Sequence, residues 1–449
     1  MTEKIFIANR GEIALRVIEA CDRLGYETVL GVSAADQDSL GAKRAGRTIV
    51  IGGPRPGDSY LNMNAVLQAA ISTGCTAIHP GYGFLSENPD FARGCAENDI
   101  VFIGPSPEAL ESLGDKLTAR RLAESADVLV SAGGTATTSE EVHALAREIG
   151  YPVLIKAAYG GGGRGMKLVN SDADLDDAWQ LASAEAAATF GNGEVFLERF
   201  VTDAKHVEVQ ILGDRHGNRI HLGERECSVQ FRYQKVIEEA PCAALPDATR
   251  TLLHESALRI ADALDYVGLG TVEFLYDVER DEFAFLEVNP RVQVEHPVTE
   301  AVTGVDLVRQ QLLAALGHEI ELSQDDVRLT GHAIECRITA QDPDKGLAPS
   351  PGRVKRWIPH ITGDSRLDSH IYDGYLFPPY YDALMGKQIV WGADRAQAID
   401  RMELVLEKFI VDGVTTSIPL LRDIIAHRVY RDNTVTTHWL TTAIEELRP

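Results

Sequence analysis

Residues 287–295 read Glu-Val-Asn-Pro-Arg-Val-Gln-Val-Glu, and polar and apolar side chains alternate strictly along the stretch. Alternate residues of an extended backbone point to opposite sides, so one face would carry Glu287, Asn289, Arg291, Gln293 and Glu295. Most such patterns mark a half-buried strand with a solvated side. Here, however, the polar face holds only carboxylates, carboxamides and a guanidinium, which suit Mg2+ and a bidentate oxyanion such as phosphate or bicarbonate. We therefore interpret it as an active-site face.

A second carboxylate is expected to meet this face. Residues 271–276 and 283–289 are rich in β-branched and aromatic side chains, and the polar segment between them is typical of a hairpin turn. A register centred near Arg280 sets Glu273 opposite Glu287. Two facing acids repel each other unless a cation lies between them. The hairpin therefore predicts one or two Mg2+ ions, with Asn289 completing the oxygen ligands.

Composition limits the class of protein. The chain has 449 residues, 45% of them hydrophobic, which is enough for about two to four globular domains. No apolar run approaches the ~20 residues that span a bilayer, and six cysteines without Cys-x-x-Cys spacing indicate reduced thiols in the cytoplasm. A net charge of −24 argues against a nucleic-acid partner. An anionic substrate would then need a local basic pocket.

The N-terminal region predicts a parallel sheet. Residues 5–9, 11–25 and 28–33 read as strand, amphipathic helix and strand, which is a βαβ unit opening a doubly wound domain. The loop 79–88 is dense in glycine and aromatic residues, and such loops at strand ends often face a site, although a plain turn is the alternative. Pro105-Ser-Pro107 marks a domain boundary.

Residues 160–166 read Gly-Gly-Gly-Gly-Arg-Gly-Met and lie between the predicted strands 152–157 and 167–169. Unobstructed glycine amides can approach a phosphate closely. Both the dinucleotide fingerprint and the P-loop require a helix directly after their glycines, so both are disfavoured. We expect a flap over phosphates, with a flexible linker as the alternative; helix 172–190 and strand 194–200 would complete a small α+β lid.

A glycine flap, a paired-acid hairpin and scattered lysines are together similar to the ATP-grasp fold. The motifs at 4–16, 79–88, 160–166, 226–236, 287–299 and 370–375 resemble those of biotin carboxylase in order and spacing, over nearly the whole chain. The resemblance implies a mixed α/β and α+β protein. Its parts would be an N-terminal doubly wound parallel-sheet domain (1–110), a central ATP-grasp domain (111–328) with a mobile glycine-flap lid (about 131–200), and a C-terminal α+β domain (329–449).

The resemblance also implies the reaction. ATP and bicarbonate would form carboxyphosphate, which carboxylates biotin on a separate carrier protein, as the first half-reaction of acetyl-CoA carboxylase or another acyl-CoA carboxylase. Mg2+ or Mn2+, a biotin carboxyl carrier protein, a carboxyltransferase subunit and a homodimer are the implied cofactors and partners. The final acyl acceptor is left open.

Site residues follow from the resemblance by position. For ATP they are Lys116, Lys156, Gly162, Gly163, Glu198, Arg199, Phe200, Val201, His206, Gln230, Tyr233, Glu273 and Glu287, and for the metal Glu273, Glu287 and Asn289. For bicarbonate they are Lys235, Arg291, Gln293 and Val294, with Glu295 as the base. Arg337 would stabilise the enolate of biotin, with Tyr82 near its ring; Arg291, Glu295, Lys235 and Arg337 form the implied catalytic set.

Three residues depart from the usual pattern of the family. Tyr233 stands where His or Asn is common, Phe231 where Arg is common, and Tyr159 where the flap usually carries a small residue. Because Gln230 and Lys235 are retained, we expect altered nucleotide contacts rather than lost activity.

Three other classes compete with this interpretation. Another ATP-grasp ligase, joining a carboxylate to an amine, would not need Arg337 or the Gln293–Glu295 continuation. A non-catalytic nucleotide-binding regulator would be expected to lack some of Lys235, Glu287, Asn289 and Arg291, all of which are present. An NAD-dependent dehydrogenase is disfavoured because no helix is predicted after the glycines.

Overall fold

In the computed structural model, which describes residues 2–136, 138–157, 166–191 and 193–447, the N-terminal region forms a five-stranded parallel sheet in the order β3-β2-β1-β4-β5. This confirms the predicted βαβ unit and parallel sheet. The elements are β1 (Lys4–Ile7), α1 (Gly11–Leu24), β2 (Glu27–Ser33), α2 (Leu40–Arg44), β3 (Arg47–Gly52), α3 (Met63–Ser72), β4 (Ala77–His79), α4 (Pro89–Glu97) and β5 (Val101–Phe102).

The strand order places a crevice at a defined edge of this sheet. The chain runs from β1 outward to β3 and then returns to β4 on the other side of β1. In open α/β sheets, ligands bind beyond the carboxyl ends of the strands where the order reverses in this way. The segments that leave β1 and β4 at that point are residues 8–12 and 80–84, which include the glycine-rich and aromatic loop singled out in the sequence.

A small α+β unit follows two connecting helices, as predicted for a lid. Its four strands pair antiparallel in the order β6-β9-β7-β8, and Val142, Ile155 and Leu175 are buried in its own core. The elements are α5 (Pro107–Gly114), α6 (Lys116–Ser125), β6 (Gly133–Thr135), α7 (Ser139–Ile149), β7 (Val153–Ala157), β8 (Lys167–Val169), α8 (Leu175–Phe190) and β9 (Val195–Arg199). Tyr159, Gly162 and Gly163 of the predicted flap lie outside the described residues.

An eight-stranded antiparallel sheet forms the centre of the molecule, in the order β14-β13-β10-β11-β12-β15-β22-β20. Its first part contains β10 (Ala204–Gly213), β11 (Arg219–Phe231), β12 (Gln234–Ala240), α9 (Asp247–Ala263), β13 (Gly268–Asp277), β14 (Glu282–Asn289), α10 (His296–Thr303) and α11 (Leu307–Ala315). The rest of the chain adds β15 (His332–Thr339), β16 (Gln341–Asp342), β17 (Ala348–Pro349), β18 (Gly352–Arg353), β19 (Arg356–Ile358), β20 (Ser365–Ser369), β21 (Leu376–Phe377), β22 (Leu384–Gly392), α12 (Arg395–Glu407), β23 (Ile410–Asp412), α13 (Ile418–Ala426), α14 (Arg428–Arg431) and α15 (Trp439–Ala443).

This sheet crosses the expected boundary between the central and C-terminal domains. Strand β12 pairs with β15, with Ile237 opposite Cys336 and Glu238 opposite Glu335. The hydrophobic core is shared as well, because Val229 and Ile237 pack in one buried cluster with residues of β15, β22 and α12. The two regions therefore share backbone hydrogen bonds and side-chain packing across the expected boundary.

Two features bear on the environment of the protein. Cys21, Cys75, Cys95, Cys227, Cys242 and Cys336 are all free and buried, in agreement with the predicted reduced thiols. Among the described residues, no helix is both long and apolar enough to cross a membrane.

Candidate active site

A row of charged residues crosses the central sheet on one face. Glu273 pairs with Glu287 on one side and with Glu208 on the other, and Glu208 in turn lies opposite Arg225. Directly opposite residues of an antiparallel sheet share a face, so these side chains form a continuous row over β14, β13, β10 and β11. The predicted register of Glu273 against Glu287 is confirmed.

The extended face predicted for residues 287–295 is wrong beyond Asn289. Strand β14 ends there, and the Arg291 N–H donates to the Asn289 carbonyl at 2.9 Å, which closes a tight turn. The reason is Pro290, which has no N–H for a strand ladder and restricts the residue before it. Glu295 directly precedes helix α10.

The side chains of this segment nevertheless converge, as predicted. Asn289 Nδ2 and Gln293 Nε2 both donate to Glu273 Oε1, at 2.8 and 2.7 Å. Arg291 donates to Asn289 Oδ1 at 3.0 Å and forms an ion pair with Glu87. The turn after Asn289 keeps these polar groups over the sheet. A straight strand would have carried them away along its axis.

Lys235 connects the converging groups. Its Nζ lies 2.6 Å from Glu208, 3.0 Å from Glu273 and 2.7 Å from Glu295. Burial alone would lower the pKa of this ammonium, but the carboxylates of Glu208, Glu273 and Glu295 hold it well above its usual value. Lys235 is therefore a fixed positive charge between the hairpin and the segment before α10.

Glu295 also reaches the next strand. Its Oε2 accepts from Arg337 at 3.0 Å, and Arg337 Nε donates to Glu238 at 2.6 Å. Burial raises the pKa of the Glu295 carboxyl, but Lys235 and Arg337 outweigh burial and lower it. Glu295 is accordingly a carboxylate at neutral pH, and its oxygens are hydrogen-bond acceptors.

The paired acids of the hairpin have opposite pKa shifts. Burial raises the pKa of both, and for Glu287 the charge of Glu273 raises it further. For Glu273, Lys235 and His206 outweigh burial and bring the pKa well below its usual value. The cations near Glu287 therefore stabilise its carboxylate less than Lys235 and His206 stabilise that of Glu273. Two facing carboxylates fit a divalent cation, which prefers oxygen ligands. The Asn289 amide oxygen, however, accepts from Arg291, and the amide nitrogen faces Glu273.

Several of the residues predicted to contact ATP come together where α6 and the small α+β unit approach the hairpin of β13 and β14. Lys156 forms an ion pair with Glu198, and burial lowers the pKa of Lys116 despite the opposing charge of Glu287. His206 lies between Glu273 at 3.0 Å and the amide of Gln230 at 2.9 Å.

A residue that the sequence did not reveal packs against two of the residues predicted to contact ATP. His438, just before α15, packs against Phe200 with ring centroids 5.0 Å apart and the rings tilted by 50°, and it meets Tyr233 edge-on at 6.1 Å. Tyr233 and Arg232 form the two-residue tip of the β11–β12 hairpin, and both have left-handed φ values, 65° and 52°. Two further residues predicted to contact ATP lie in the preceding segment: Val201 is partly buried, and the backbone N–H of Arg199 donates to the Ala132 carbonyl. His438 has no motif around it, because its position depends entirely on tertiary packing.

The predicted biotin residues face a cavity of about 930 Å3 on the other side of Lys235. Tyr82, Lys235, Arg291, Val294 and Arg337 all line it. The Tyr82 hydroxyl donates to Glu12. The structure thus brings Tyr82 from the N-terminal sheet and Arg337 from β15 to one cavity, although 255 positions separate them in the sequence numbering.

Arg225 is the most important residue that sequence reasoning missed. It has no exposed surface, and its guanidinium contacts Glu208 at 2.6 Å, Gln210 at 2.7 Å and Gln293 at 2.7 Å. Two threonine hydroxyls, of Thr271 and Thr299, complete its hydrogen bonds. The sequence feature that could have revealed Arg225 is the run of three charged residues at positions 224–226, within a strand whose other residues are typical of a core.

Glu335 is a second buried charge that the sequence did not single out. It is fully buried opposite Glu238, and neither of its carboxyl oxygens has a hydrogen-bond partner among the described residues. Burial raises its pKa well above the usual value, with Glu238 adding to the shift and Lys387 opposing it. A carboxyl in this position binds its proton more tightly than a solvated one.

A small antiparallel α+β unit beside a large antiparallel sheet that carries paired acids, with Lys116 close to both, defines an ATP-grasp enzyme. Residues 1–110 match the family described as biotin carboxylase, N-terminal domain, residues 115–323 the carbamoyl-phosphate synthase L chain, ATP binding domain, and residues 335–442 the biotin carboxylase C-terminal domain.

Full-length relatives agree with these matches. The chain is 47% identical over 440 residues to biotin carboxylase of Nostoc sp. (strain PCC 7120), covering 98% of both chains. It is similar to the biotin carboxylase–β-γ-ATP complex from Campylobacter jejuni, with a TM-score of 0.95, 43% identity and coverage of 98% and 99%. It is also similar to the biotin carboxylase domain dimer of Hydrogenobacter thermophilus 2-oxoglutarate carboxylase with MgADP, ADP and bicarbonate, with a TM-score of 0.95, 42% identity and coverage of 100% and 99%.

The chain therefore belongs to the biotin carboxylase family. It is an ATP-dependent carboxylase of the ligase class, as its motifs predicted.

Replacing Arg225 with methionine is expected to lower the free energy of unfolding by about 3–5 kcal/mol, because a buried carboxylate and two amides lose their donor. Urea unfolding followed by circular dichroism measures the change. Arg215→Met, on an exposed turn, is the matched control and should stay within about 0.5 kcal/mol of the wild type. Adding Glu208→Gln to Arg225→Met should recover part of the loss; equal stability of Arg225→Met and Arg215→Met would contradict this account.

The raised pKa of Glu335 makes the free energy of unfolding depend on pH in a predictable direction. A carboxyl whose folded-state pKa lies above its unfolded value near 4.5 binds more protons when folded, so its contribution to stability falls as pH rises from about 5. Glu335→Gln mimics the protonated carboxyl and does not titrate. Its unfolding midpoint relative to the wild type is therefore expected to increase between pH 5 and pH 8. The exposed Glu255→Gln is the control, and parallel curves for Glu335→Gln and the wild type would refute the assignment.

Proposed function

We propose that this enzyme uses ATP and bicarbonate to carboxylate biotin held on a separate carrier protein, through carboxyphosphate. The observation that carries the proposal is the chain of contacts Glu273–Lys235–Glu295–Arg337. It joins the paired acids on the nucleotide side to the cavity that contains Tyr82. A phosphorylated anion formed at one end would therefore have a short path to an acceptor at the other.

On the nucleotide side, we propose that Glu273, Glu287 and Asn289 hold Mg2+ or Mn2+, which supplies charge neutralisation for phosphoryl transfer. Lys116 and Lys156 would bind the phosphates, together with the backbone of Gly162 and Gly163. The groups assigned to adenosine are Glu198, Arg199, Phe200, Val201, His206, Gln230 and Tyr233. The contacts of Phe200 and Tyr233 with His438, one tilted and one edge-on, support a packed aromatic wall beside the adenosine groups.

Bicarbonate is assigned to Lys235, Arg291, Gln293 and Val294. Lys235 and Arg291 supply positive charge, and both line the cavity. Glu295, kept as a carboxylate by Lys235 and Arg337, would accept the bicarbonate proton. The bicarbonate oxygen would then attack the terminal phosphoryl group, with the lid excluding water from the product.

Biotin is assigned to the side of the cavity next to Arg337 and Tyr82. Carboxyphosphate breaks down to CO2 and phosphate, and phosphate can take the proton from the biotin ureido nitrogen. The Arg337 guanidinium, already aligned by Glu238 and Glu295, would stabilise the enolate that forms. The nitrogen then attacks CO2.

For the wider assembly, we propose a cytoplasmic homodimer that works with a biotin carboxyl carrier protein and a carboxyltransferase subunit. The buried reduced cysteines and the dimeric Hydrogenobacter domain support the location and the dimer. The domain bounds we propose are 1–110, 111–328 with the lid at about 131–200, and 329–449. The final acceptor is an acyl-CoA, with acetyl-CoA as the first candidate.

The decisive experiment measures ADP release by the purified chain with MgATP, with and without bicarbonate and free biotin. We expect release to require bicarbonate and to rise with biotin, and label from radioactive bicarbonate to appear on biotin. ADP release that is indifferent to bicarbonate would reject the proposal and favour another ATP-grasp ligase.

Arg337→Met is expected to lower label transfer to biotin by about a hundredfold or more, because one preorganised donor to the developing anion is lost. Bicarbonate-dependent ATP cleavage without biotin should fall less, since Lys235 still holds Glu295. The exposed Arg422→Met serves as the control. An equal fall of both rates in Arg337→Met would contradict a specific role toward biotin.

A further inference from the structure

A second buried lysine lies next to the residues assigned to bicarbonate and biotin. Lys387 of β22 has no exposed surface, and in the pairing of β15 with β22 it stands directly opposite Arg337. Directly opposite residues of an antiparallel pair share a face, and like charges in these positions repel each other. A second cation beside Arg337 in the interior is therefore costly unless other groups stabilise it.

Acidic side chains from three elements surround this lysine. Its Nζ lies 3.1 Å from Glu12 Oε2 of α1 and 3.8 Å from Asp368 Oδ2 of β20. Burial alone would lower the pKa of the ammonium, but the carboxyl groups of Glu12, Glu335 and Asp368 outweigh burial and raise it. Lys387 is therefore charged at neutral pH.

One contact of Lys387 is with the backbone. Its Nζ donates to the Val294 carbonyl at 2.8 Å, and that carbonyl belongs to the peptide group between Val294 and Glu295, just before α10. The first turn of α10 does not bond this carbonyl, because Pro297 has no N–H and the Val298 N–H donates to the Glu295 carbonyl instead. Lys387 thus supplies the donor that the helix lacks.

The peptide group held in this way joins two residues assigned to bicarbonate, Val294 as a contact and Glu295 as the base. Its rotation would move the Glu295 carboxylate, whose oxygens lie 2.7 Å from Lys235 and 3.0 Å from Arg337. A misplacement of about 1 Å near a reacting group can lower a rate by about a hundredfold. Lys387 is not among the residues that line the cavity, so it would act through this peptide group rather than by touching a substrate.

We propose that Lys387 is a positioning residue, which fixes the peptide group between Val294 and Glu295 so that the bicarbonate site is formed before bicarbonate binds. This inference rests on the proposed function, because that function assigns bicarbonate to this segment. The competing explanation is an ion pair that only joins α1 to β22. Such a pair can be exchanged for uncharged side chains of similar size without a loss of substrate affinity.

A double variant, Lys387→Met with Glu12→Gln, separates the two explanations by removing the buried cation together with its nearest carboxylate. The glutamine oxygen can still accept from the Tyr82 hydroxyl, and Asp368 keeps its hydrogen bonds of 2.6 and 2.7 Å from Arg366. The readout is bicarbonate-dependent ATP cleavage without biotin. KM for bicarbonate should rise by about tenfold, because the Val294 carbonyl loses its donor. KM for MgATP should not change, because the contacts of Lys387 are not assigned to the nucleotide.

The matched control is Lys205→Met with Glu226→Gln. Lys205 is 2% exposed, and its ammonium lies 2.6 Å from Glu226, so the same kind of buried ion pair is removed. Its contacts, Glu226 and Asn433, are not assigned to a ligand. KM for bicarbonate in the control should equal that of the wild type.

Circular dichroism establishes that both double variants are folded at the assay temperature. If Lys387→Met with Glu12→Gln does not fold, Glu12→Gln alone decides: the ammonium then moves toward Asp368 and away from Val294, and KM for bicarbonate should rise by about threefold. In the folded variant, an unchanged KM for bicarbonate, or an equal rise in KM for MgATP, overturns the role of Lys387 and leaves the proposed function intact. Absence of bicarbonate-dependent ATP cleavage in the wild-type enzyme overturns the proposed function itself, so the two failures are distinguishable.

Discussion

The ammonium of Lys235, held between three carboxylates, is the interaction on which the site depends. Glu208, Glu273 and Glu295 come from two strands and the segment before a helix, and each lies within 3.0 Å of the same nitrogen. Without that charge, the three buried acids would repel one another and take up protons. The same nitrogen thereby keeps Glu295 ionised and draws the hairpin toward Arg337. Structure and reactivity thus depend on one cation.

Much of the architecture was predictable because local patterns determine it. The hairpin register that sets Glu273 against Glu287 follows from two β-rich segments joined by a short polar turn, and the βαβ unit follows from its periodicity. The path of residues 290–295 was not predictable in this way: alternation predicted a strand, but Pro290 ended it. The polar side chains still converge, because Asn289 and Gln293 reach Glu273 from the turn that follows the strand. Arg225 and His438 were missed since only long-range packing gives them their partners.

The central sheet explains how the proposed nucleotide and biotin regions are held next to each other. Because β12 pairs with β15, the strand of Lys235 and the strand of Arg337 are neighbours. Their separation is therefore set by a ladder of backbone hydrogen bonds rather than by a loose contact between domains. Catalysis that hands an unstable intermediate from one region to the other gains from such fixed spacing.

The row of charges across this sheet also restricts how the sequence can diverge. Glu208 faces Arg225 on one strand and Lys235 on another, so a change at any of the three leaves a buried ion with fewer counterions. Single substitutions in the row would therefore be eliminated by selection, and only paired, mutually compensating replacements could become fixed. Related chains are then expected to vary at these positions together or to keep them all.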